Sequence, residues 1–129
     1  MSKHKFQTEF EINASKKMLY PYIYSASGLA QWLADDVNIN EDKIYNFIWE
    51  EEDHKFRMAA HRTNSFVKFE SIEKEADADP NYFELRLEMN ELTESVFLRV
   101  VDYSDNQDDE ELQDLWGGMV LNLKEIVGG

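Results

Sequence analysis

The sequence predicts an α+β fold in which antiparallel strands form a curved sheet and a long C-terminal helix closes it. Two observations carry this prediction. Residues 104–127 repeat apolar side chains at the spacing of an amphipathic helix, and residues 37–103 break into short alternating segments divided by turn sequences. The apolar side of such a helix needs a partner surface. The helix is therefore predicted to close a cup built of strands.

The chain starts with a predicted half-buried strand over residues 3–13. Phe6, Phe10 and Ile12 fall on one parity of this segment, and charged residues fall on the other. A period of two is the pattern of a strand with one buried face. The sequence therefore places one strand ahead of any helix.

Two short helices are predicted next. Asn13 or Ser15 offers an N-cap oxygen, and apolar residues follow at helical spacing. Pro21 lies inside that pattern, where it removes a hydrogen bond, so the first helix is expected to be short or kinked. The Ser-Ala-Ser-Gly sequence at 25–28 breaks it. Apolar residues within 29–33 then predict a second short helix, which ends at a pair of aspartates.

Six further strands fill the middle of the chain. Each is rich in β-branched or aromatic residues, and turn sequences separate them, which favours hairpins over parallel crossovers. Their predicted ranges are 37–40, 44–49, 55–61, 66–72, 82–89 and 95–103. The acidic residues 73–79, followed by Pro80, are interpreted as a hairpin loop without chemistry of its own.

The parity of these strands assigns an inner face and an outer face. Mainly charged and amide side chains occupy the outer parity, which is expected to be solvated. Apolar side chains occupy the inner parity: Tyr45, Phe47, Trp49, Phe56, Met58, Ala60, Val67, Phe69, Phe83, Leu85, Leu87 and Met89.

The last helix is predicted to begin at Ser104, with Gln107 at the spacing of a capping box. Acidic residues at 105 and 108–111 suit the positive end of the helix dipole, and the two terminal glycines end the helix. Its apolar sector is predicted to be buried and comprises Leu112, Leu115, Trp116, Met119, Val120, Leu123, Ile126 and Val127.

Gly117 and Gly118 lie away from the centre of that apolar sector. Each costs about 1 kcal/mol relative to Ala inside a helix, so a compensating close approach is expected. One interpretation is close packing against a strand or against the helix that contains Pro21. The other is that the two glycines and Leu121 form a flat patch for an isologous homodimer through the C-terminal helix.

Composition excludes several classes of function. Thirteen Lys and Arg against twenty-seven Asp and Glu give 129 residues a net charge of −14, which disfavours nucleic acid and anionic membranes as partners. The chain has no cysteine, which removes disulfides and thiol chemistry and indicates a cytoplasmic location. No signal peptide and no membrane span are expected, because no apolar run is long enough.

The order of elements, and three short stretches, resemble a known superfamily. The stretches are Phe-Glu-Ile-Asn-Ala-Ser at 10–15, Leu-Ala-Gln-Trp-Leu at 29–33 and Leu-Trp-Gly-Gly-Met at 115–119, followed by Leu123. Together they resemble the START-like, or Bet v 1-like, superfamily (SRPBCC), and most of all the branch related to the C-terminal domain of the Hsp90 ATPase activator. The resemblance covers nearly the whole chain and consists of packing patterns.

This resemblance implies one domain over 1–129 with the helix-grip fold, a seven-stranded curved antiparallel sheet wrapped around the C-terminal helix. Members commonly enclose a cavity for lipids, sterols, polyketides or other apolar molecules. A Pro-Gly-Gly-type turn is often found before the third strand in this branch, and Glu-Asp-Lys stands at 41–43 instead. The extra N-terminal domain of the true activator is not expected either. A full activator role is therefore not expected.

Residues able to carry catalysis are few. The three histidines have no metal-site spacing, and no nucleophile motif occurs, so neither a metal nor a cofactor is expected. Arg99 and Asp102 lie on opposite parities of the last strand, and either is a candidate to point inward. A structural salt bridge or an edge position is favoured over catalysis for both. The three tryptophans are interpreted either as core or as ligand-stacking groups.

The resulting hypothesis is binding of a small apolar ligand, lipid-, sterol-, quinone- or polyketide-like, without catalysis and without cofactor. The ligand is expected to be neutral or weakly polar. An acidic protein-interaction module resembling the chaperone-activator domain is the alternative, and a cyclase- or dehydratase-like enzyme is the third. The predicted ligand-binding residues are Phe47, Trp49, Phe56, Met58, Phe69, Leu85, Trp116 and Met119.

Overall fold

The computed structural model describes residues 3–72 and 79–128. In this part of the chain seven strands form one antiparallel sheet, two short helices follow the first strand, and a long helix ends the chain. The predicted α+β helix-grip architecture is confirmed. The elements are β1 (His4–Ile12), α1 (Lys16–Tyr24), α2 (Ala26–Leu29), β2 (Asp36–Ile39), β3 (Ile44–Trp49), β4 (Glu52–Arg62), β5 (Phe66–Ser71), β6 (Tyr82–Met89), β7 (Val96–Ser104) and α3 (Asp109–Val127).

The sheet order is β1-β7-β6-β5-β4-β3-β2, so each strand from β2 to β7 pairs with its neighbour in sequence. The exception is β1, which pairs with β7 along its full length, from His4 opposite Ser104 to Ile12 opposite Val96. The helices α1 and α2 connect β1 to β2, at the opposite edge of the sheet. This topology brings the first strand beside the strand that leads into α3.

The core lies between α3 and the inner face of the sheet. Leu112, Trp116, Val120 and Leu123 of α3 are buried, as predicted. Burying an apolar side chain of this size contributes about 1.5–3 kcal/mol. One side of α3 therefore holds the helix in the concavity of the sheet.

A cluster of aromatic rings around Phe47 forms the centre of this core, and we call it the Phe47 cluster. Its members are Phe47, Trp49, Phe56, Phe69 and Phe83. Phe47 stacks on Trp49 with ring centroids 5.3 Å apart and meets the other three rings at 5.3–5.6 Å in edge-on geometry. Such pairs contribute roughly 0.5–1.5 kcal/mol beyond their burial. The cluster ties β3, β4, β5 and β6 together.

The start of α3 differs from the prediction. The helix begins at Asp109, and the carboxylate of Asp108 caps it by accepting a hydrogen bond from the Glu111 amide at 3.1 Å. Ser104 instead accepts from the amide of Asn106 within the preceding turn. The predicted capping box at Ser104 is therefore wrong. An aspartate caps a helix as well as a serine does, and the acidic run supplied several candidates.

The second short helix is also displaced from its prediction. It begins within the stretch expected to be a break, because Ser25 both ends α1 and starts α2. Its amide donates to the Pro21 carbonyl at 3.1 Å, and its hydroxyl accepts from the Gly28 amide at 3.0 Å. Helical backbone ends at Leu29, and turns follow.

Three predicted inward side chains are substantially exposed. Met89, at the last position of β6, is 50% exposed because the sheet extends there beyond the surface that α3 covers. Leu115 and Ile126 of α3 are 54% and 38% exposed. These two lie at the edge of the apolar sector, so the buried side of the helix is narrower than the sequence pattern.

The glycines divide sharply by their surroundings. A Cβ at Gly28 would lie 2.2 Å from the Pro21 carbonyl oxygen and 2.7 Å from the Tyr22 Cα, so only glycine allows α1 and α2 to meet. A Cβ at Gly117 would lie 4.0 Å from the Phe10 ring, and one at Gly118 would have no neighbour within 4 Å. The expected close approach is therefore wrong for Gly118.

This contrast predicts opposite effects for two Gly-to-Ala substitutions. Gly28→Ala should lower the free energy of unfolding by about 1–3 kcal/mol, because backbone atoms must move to admit the methyl group. Gly118→Ala should raise it by roughly 1 kcal/mol, because it improves helix propensity in open space. Denaturant titration of both variants tests the pair. An unchanged midpoint for Gly28→Ala would contradict the close packing of α1 and α2.

Candidate functional site

A groove opens between the N-terminal half of α3 and one end of the sheet. Its volume is about 410 Å³, within the range of small-molecule sites. The β3–β4 turn, the start of β6 and the end of β7 form its other walls. The lining residues are Leu33, Trp49, Glu50, Phe56, Asn81, Tyr82, Phe83, Asp102, Tyr103, Ser104, Asn106, Leu112, Leu115, Trp116 and Met119.

A second depression, of about 540 Å³, lies elsewhere, between the β1–α1 connection and the β6–β7 turn. It is larger, but most of its lining residues are polar or charged, and α3 does not contribute to it. Small-molecule sites are mostly apolar with a few polar groups. The groove beside α3 therefore fits a ligand site better.

The structure divides the eight residues predicted to bind a ligand. Four line the groove: Trp49, Phe56, Trp116 and Met119. Three have no solvent exposure and lie in the core: Phe47, Phe69 and Leu85. Met58 is partly buried against the core and does not line the groove. The eight residues are therefore divided between the core and the walls of the groove.

The indole of Trp49 is fixed on two sides. Its Nε1 donates a hydrogen bond to the Leu33 carbonyl at 2.6 Å, and its ring stacks on Phe47 at an interplanar angle of 9°. The first contact joins β3 to the turn after α2, and the second joins it to the core. Trp49 therefore presents a rigid aromatic wall to the groove.

Trp116 is 4% exposed and is held by a carboxylate. Its Nε1 donates to Oδ2 of Asp102 at 2.8 Å, across the space between α3 and β7. Burial raises the pKa of Asp102, and the indole hydrogen bond opposes that rise. A carboxyl group thus lies in an otherwise aromatic wall.

The structure resolves the two candidates on β7. Asp102 faces the groove, on the same side of the strand as Leu98 and Val100. Arg99 points outward, where its guanidinium donates to Oε1 of Gln7 at 2.8 Å.

The rim of the groove carries further polar groups. Burial raises the pKa of Tyr82, and a hydrogen bond to the Asp79 carboxylate raises the pKa of Tyr103. Both phenols therefore stay protonated at neutral pH. Tyr103 donates to the two Asp79 oxygens at 2.8 and 3.0 Å. Among the described residues that line the groove there is no Lys, Arg or His.

None of the three histidines is among the residues that line the groove, although the His54 ring lies 5.3 Å from that of Trp49. His4 contacts the carboxylate of Asp109, His54 lies 3.7 Å from Glu52, and Nδ1 of His61 lies 3.4 Å from the Tyr20 hydroxyl. Within residues 3–72 and 79–128 no three metal-binding side chains of the His, Asp or Glu type converge.

Sequence reasoning missed several lining residues, among them Leu33, Leu112 and Leu115. Leu112 and Leu115 had been assigned to the apolar sector of the last helix, and Leu33 to the second short helix. Leu112 and Leu115 lie in the first two turns of α3, and Leu33 lies in the turns after α2, so their meeting in one groove depends on tertiary placement. The acidic Asp102 was the one signal available, because it interrupts the apolar parity of β7.

The raised pKa of Asp102 predicts a pH-dependent gain in stability for Asp102→Asn. The buried carboxylate costs free energy when charged, so the wild type recovers stability as pH falls through the raised pKa. The variant should therefore be the more stable at neutral pH, and the difference should vanish below pH 3.8, the ordinary value for this group.

Denaturant midpoints at neutral and acidic pH check this expectation. Asp114→Asn, at an exposed position of α3 outside the groove, controls for the loss of one negative charge. A lower stability of Asp102→Asn at neutral pH would show that the charged hydrogen bond to Trp116 outweighs the cost of burial.

Comparison with solved structures gives closely similar folds. A Bacteroides fragilis protein is 34% identical, with 98% of this chain and 92% of that chain aligned and a TM-score of 0.64. The Aha1 dimer from Colwellia psychrerythraea is 17% identical, with 96% of each chain aligned and a TM-score of 0.73. A Mesorhizobium loti protein is 11% identical over 97% of each chain, with a TM-score of 0.76. The last two show a common fold.

A comparison with curated proteins gives no significant match. No helix within the described residues is long and apolar enough to cross a membrane. A family profile described as the START-like superfamily domain matches residues 1–129. The chain therefore belongs to the START-like superfamily.

Proposed function

We propose that this protein binds a small apolar ligand, lipid-, sterol-, quinone- or polyketide-like, in the groove between α3 and the sheet, and that it does so without catalysis. The observation that carries the proposal is the groove of about 410 Å³ walled by Trp49, Phe56, Trp116 and Met119. Concave apolar walls of this size are the usual setting of a small-molecule site. Phe47, Phe69 and Leu85 support these walls from the core.

The rigidity of the walls favours binding. Trp49 is held by the Leu33 carbonyl, Trp116 by Asp102, and the Phe56 ring by edge contacts to Phe47 and Phe83 at 5.3 and 5.2 Å. Side chains that are already ordered lose little entropy when a ligand binds. The net charge of −14 and the carboxylates of the groove disfavour phosphorylated or multiply anionic ligands.

A protein-interaction module is the alternative proposal. Its support is the filled centre of the cup, since Phe47, Phe69 and Leu85 have no solvent exposure. Its partner would be basic, to match the acidic surface. A cyclase- or dehydratase-like enzyme comes third and would draw on Asp102 as its acid or base. The absence of cysteine supports a cytoplasmic location in each case.

A second copy of the chain is a further proposed partner. Leu121 of α3 is 56% exposed, and Gly118 beside it leaves open space for an approaching backbone. The Aha1 fold neighbour is described as a dimer. Since each copy carries −14, association should strengthen as salt screens the repulsion.

Two exposed leucines of α3 provide a matched test of ligand binding. Leu115 lines the groove and is 54% exposed, whereas Leu121 does not line it and is 56% exposed. Leu115→Ser should weaken binding of octanol or naphthylmethanol roughly fivefold, since it removes about half of a leucine contact. Leu121→Ser should leave the affinity unchanged. Calorimetric titration gives both dissociation constants.

Native mass spectrometry of protein purified from cells complements the titration, because a retained mass identifies the ligand class. Equal weakening by both serine variants would place the binding outside the groove. If the wild type binds neither these neutral probes nor their charged analogues, the proposal is rejected in favour of the interaction module.

The dimer proposal predicts that Leu121→Lys converts a dimer into a folded monomer. In an isologous interface the substitution is present in both copies, so two lysine charges are introduced at its centre. Each of them weakens the association. Leu92→Lys, at a position 96% exposed in the β6–β7 turn, is the control. Sedimentation at low and high salt measures the association. A wild type that stays monomeric at high concentration and high salt would end this proposal.

A further inference from the structure

The groove combines aromatic walls with carboxylate side chains. Its ionisable side chains among the described residues are two carboxylates, Asp102 inside and Glu50 at the mouth, and two phenols. An apolar site with only acidic groups is unusual, because burial of a carboxylate is costly without a cation.

Asp102 has capacity left for a ligand. In the described part of the chain, the Trp116 indole is its only hydrogen-bond donor, at 2.8 Å, and no cationic side chain pairs with it. A carboxylate has about four acceptor positions, so one donor leaves most of them unused. The fold holds this group by a single bond on its α3 side and leaves it beside the groove.

Glu50 is placed at the mouth by a backbone conformation that glutamate disfavours. Glu50 and Glu51 form the two-residue β3–β4 turn with φ of 52° and 67°. Asn-Gly is the usual sequence for such a turn, because both residues need positive φ. The Glu50 amide donates to Oδ2 of Asp35 at 2.9 Å, which fixes the turn. Positive φ also occurs at Lys43, Asn64 and Glu94 in other turns of the described chain, so it follows from turn geometry, and the turn sets Glu50 at the mouth of the groove.

The aromatic walls also favour a cationic ligand, as the two carboxylates do. Trp49, Phe56 and Trp116 border the groove, and aromatic rings attract cations through their quadrupole. A carboxylate beside several aromatic faces is the arrangement that recognises organic ammonium groups. A metal ion would require more oxygen or nitrogen ligands than the groove brings together.

We infer that the ligand of this groove is an apolar amine, with one protonated amino group between Asp102 and Glu50 and its apolar body against Trp49, Phe56 and Trp116. This inference rests on the proposed function, because it names the ligand class of the same groove. It replaces the neutral ligand expected from the sequence with a monocation. The ammonium donates to Asp102 and offsets the cost of its burial.

The test compares head groups on fixed apolar bodies. Octylamine, octanol and octanoate, and the matching naphthylmethylamine, naphthylmethanol and naphthoate, are titrated into the protein at physiological salt. The wild type should bind each amine roughly tenfold more tightly than its alcohol, the gain typical of a hydrogen bond to a charged group, and should bind each carboxylate weakest.

Asp102→Asn should reduce the ratio of amine to alcohol affinity to near one. Glu50→Gln should reduce the ratio less, because Glu50 is exposed at the mouth. Asp114→Asn removes the same charge outside the groove and should change nothing. Indole resonances in NMR spectra report whether Trp116 moves with each ligand.

Each outcome decides the question. Equal binding of amine and alcohol by the wild type overturns the inference and leaves the proposed function standing. An amine preference that survives Asp102→Asn, or that Asp114→Asn reduces equally, assigns the preference to the general surface charge and also overturns the inference. If no member of either series binds, the proposed function fails together with the inference.

Discussion

The packing of one side of α3 against the Phe47 cluster is the interaction on which the rest of the structure depends. The last helix follows β7 in the chain, and its buried residues belong to the same core as the aromatic rings of β3 to β6. Phe83 links the two parts, with its ring 5.9 Å from that of Trp116. The rings meet edge to face around Phe47, which has no solvent exposure. Trp49, Phe56 and Phe83 of this cluster also line the groove, so the aromatic packing forms part of its wall.

The hydrogen bond between Trp116 and Asp102 lies at the boundary between core and groove, where a buried carboxyl group costs stability. A hydrophobic residue at 102 would suit the parity of β7 and the burial of the site. The fold instead carries a carboxyl group whose pKa is raised by burial, and one indole hydrogen bond offsets only part of that cost. Groups that destabilise a fold in this way concentrate at functional sites.

Much of the fold could be predicted from alternation alone, and the reason is local. In β3 and β6 the predicted bounds, 44–49 and 82–89, match the observed strands, because parity and turn residues act over a few positions. Depth could not be predicted in this way. Parity assigns Phe47 and Trp49 to the same face, yet one is fully buried and the other lines a groove. That difference in burial depends on how far α3 covers the sheet and on how the sheet curves. The start of α3 was missed for a related reason, since several acidic residues compete as its cap.

The side chains of α3 face three different surroundings, which are the core, the groove and the solvent. With about 100° per residue, Leu112, Trp116, Val120 and Leu123 form a strip that spans about 80° and is buried. Leu115 and Met119 lie up to about 60° to one side of that strip and border the groove. Gly118 and Leu121 lie on the opposite side of the helix, open to solvent. Leu115 and Leu121 are thus of the same residue type and have nearly the same exposure. Only their angle around the helix decides what each contacts. An exposed leucine acquires a role from the surface beside it, which hydropathy alone does not reveal.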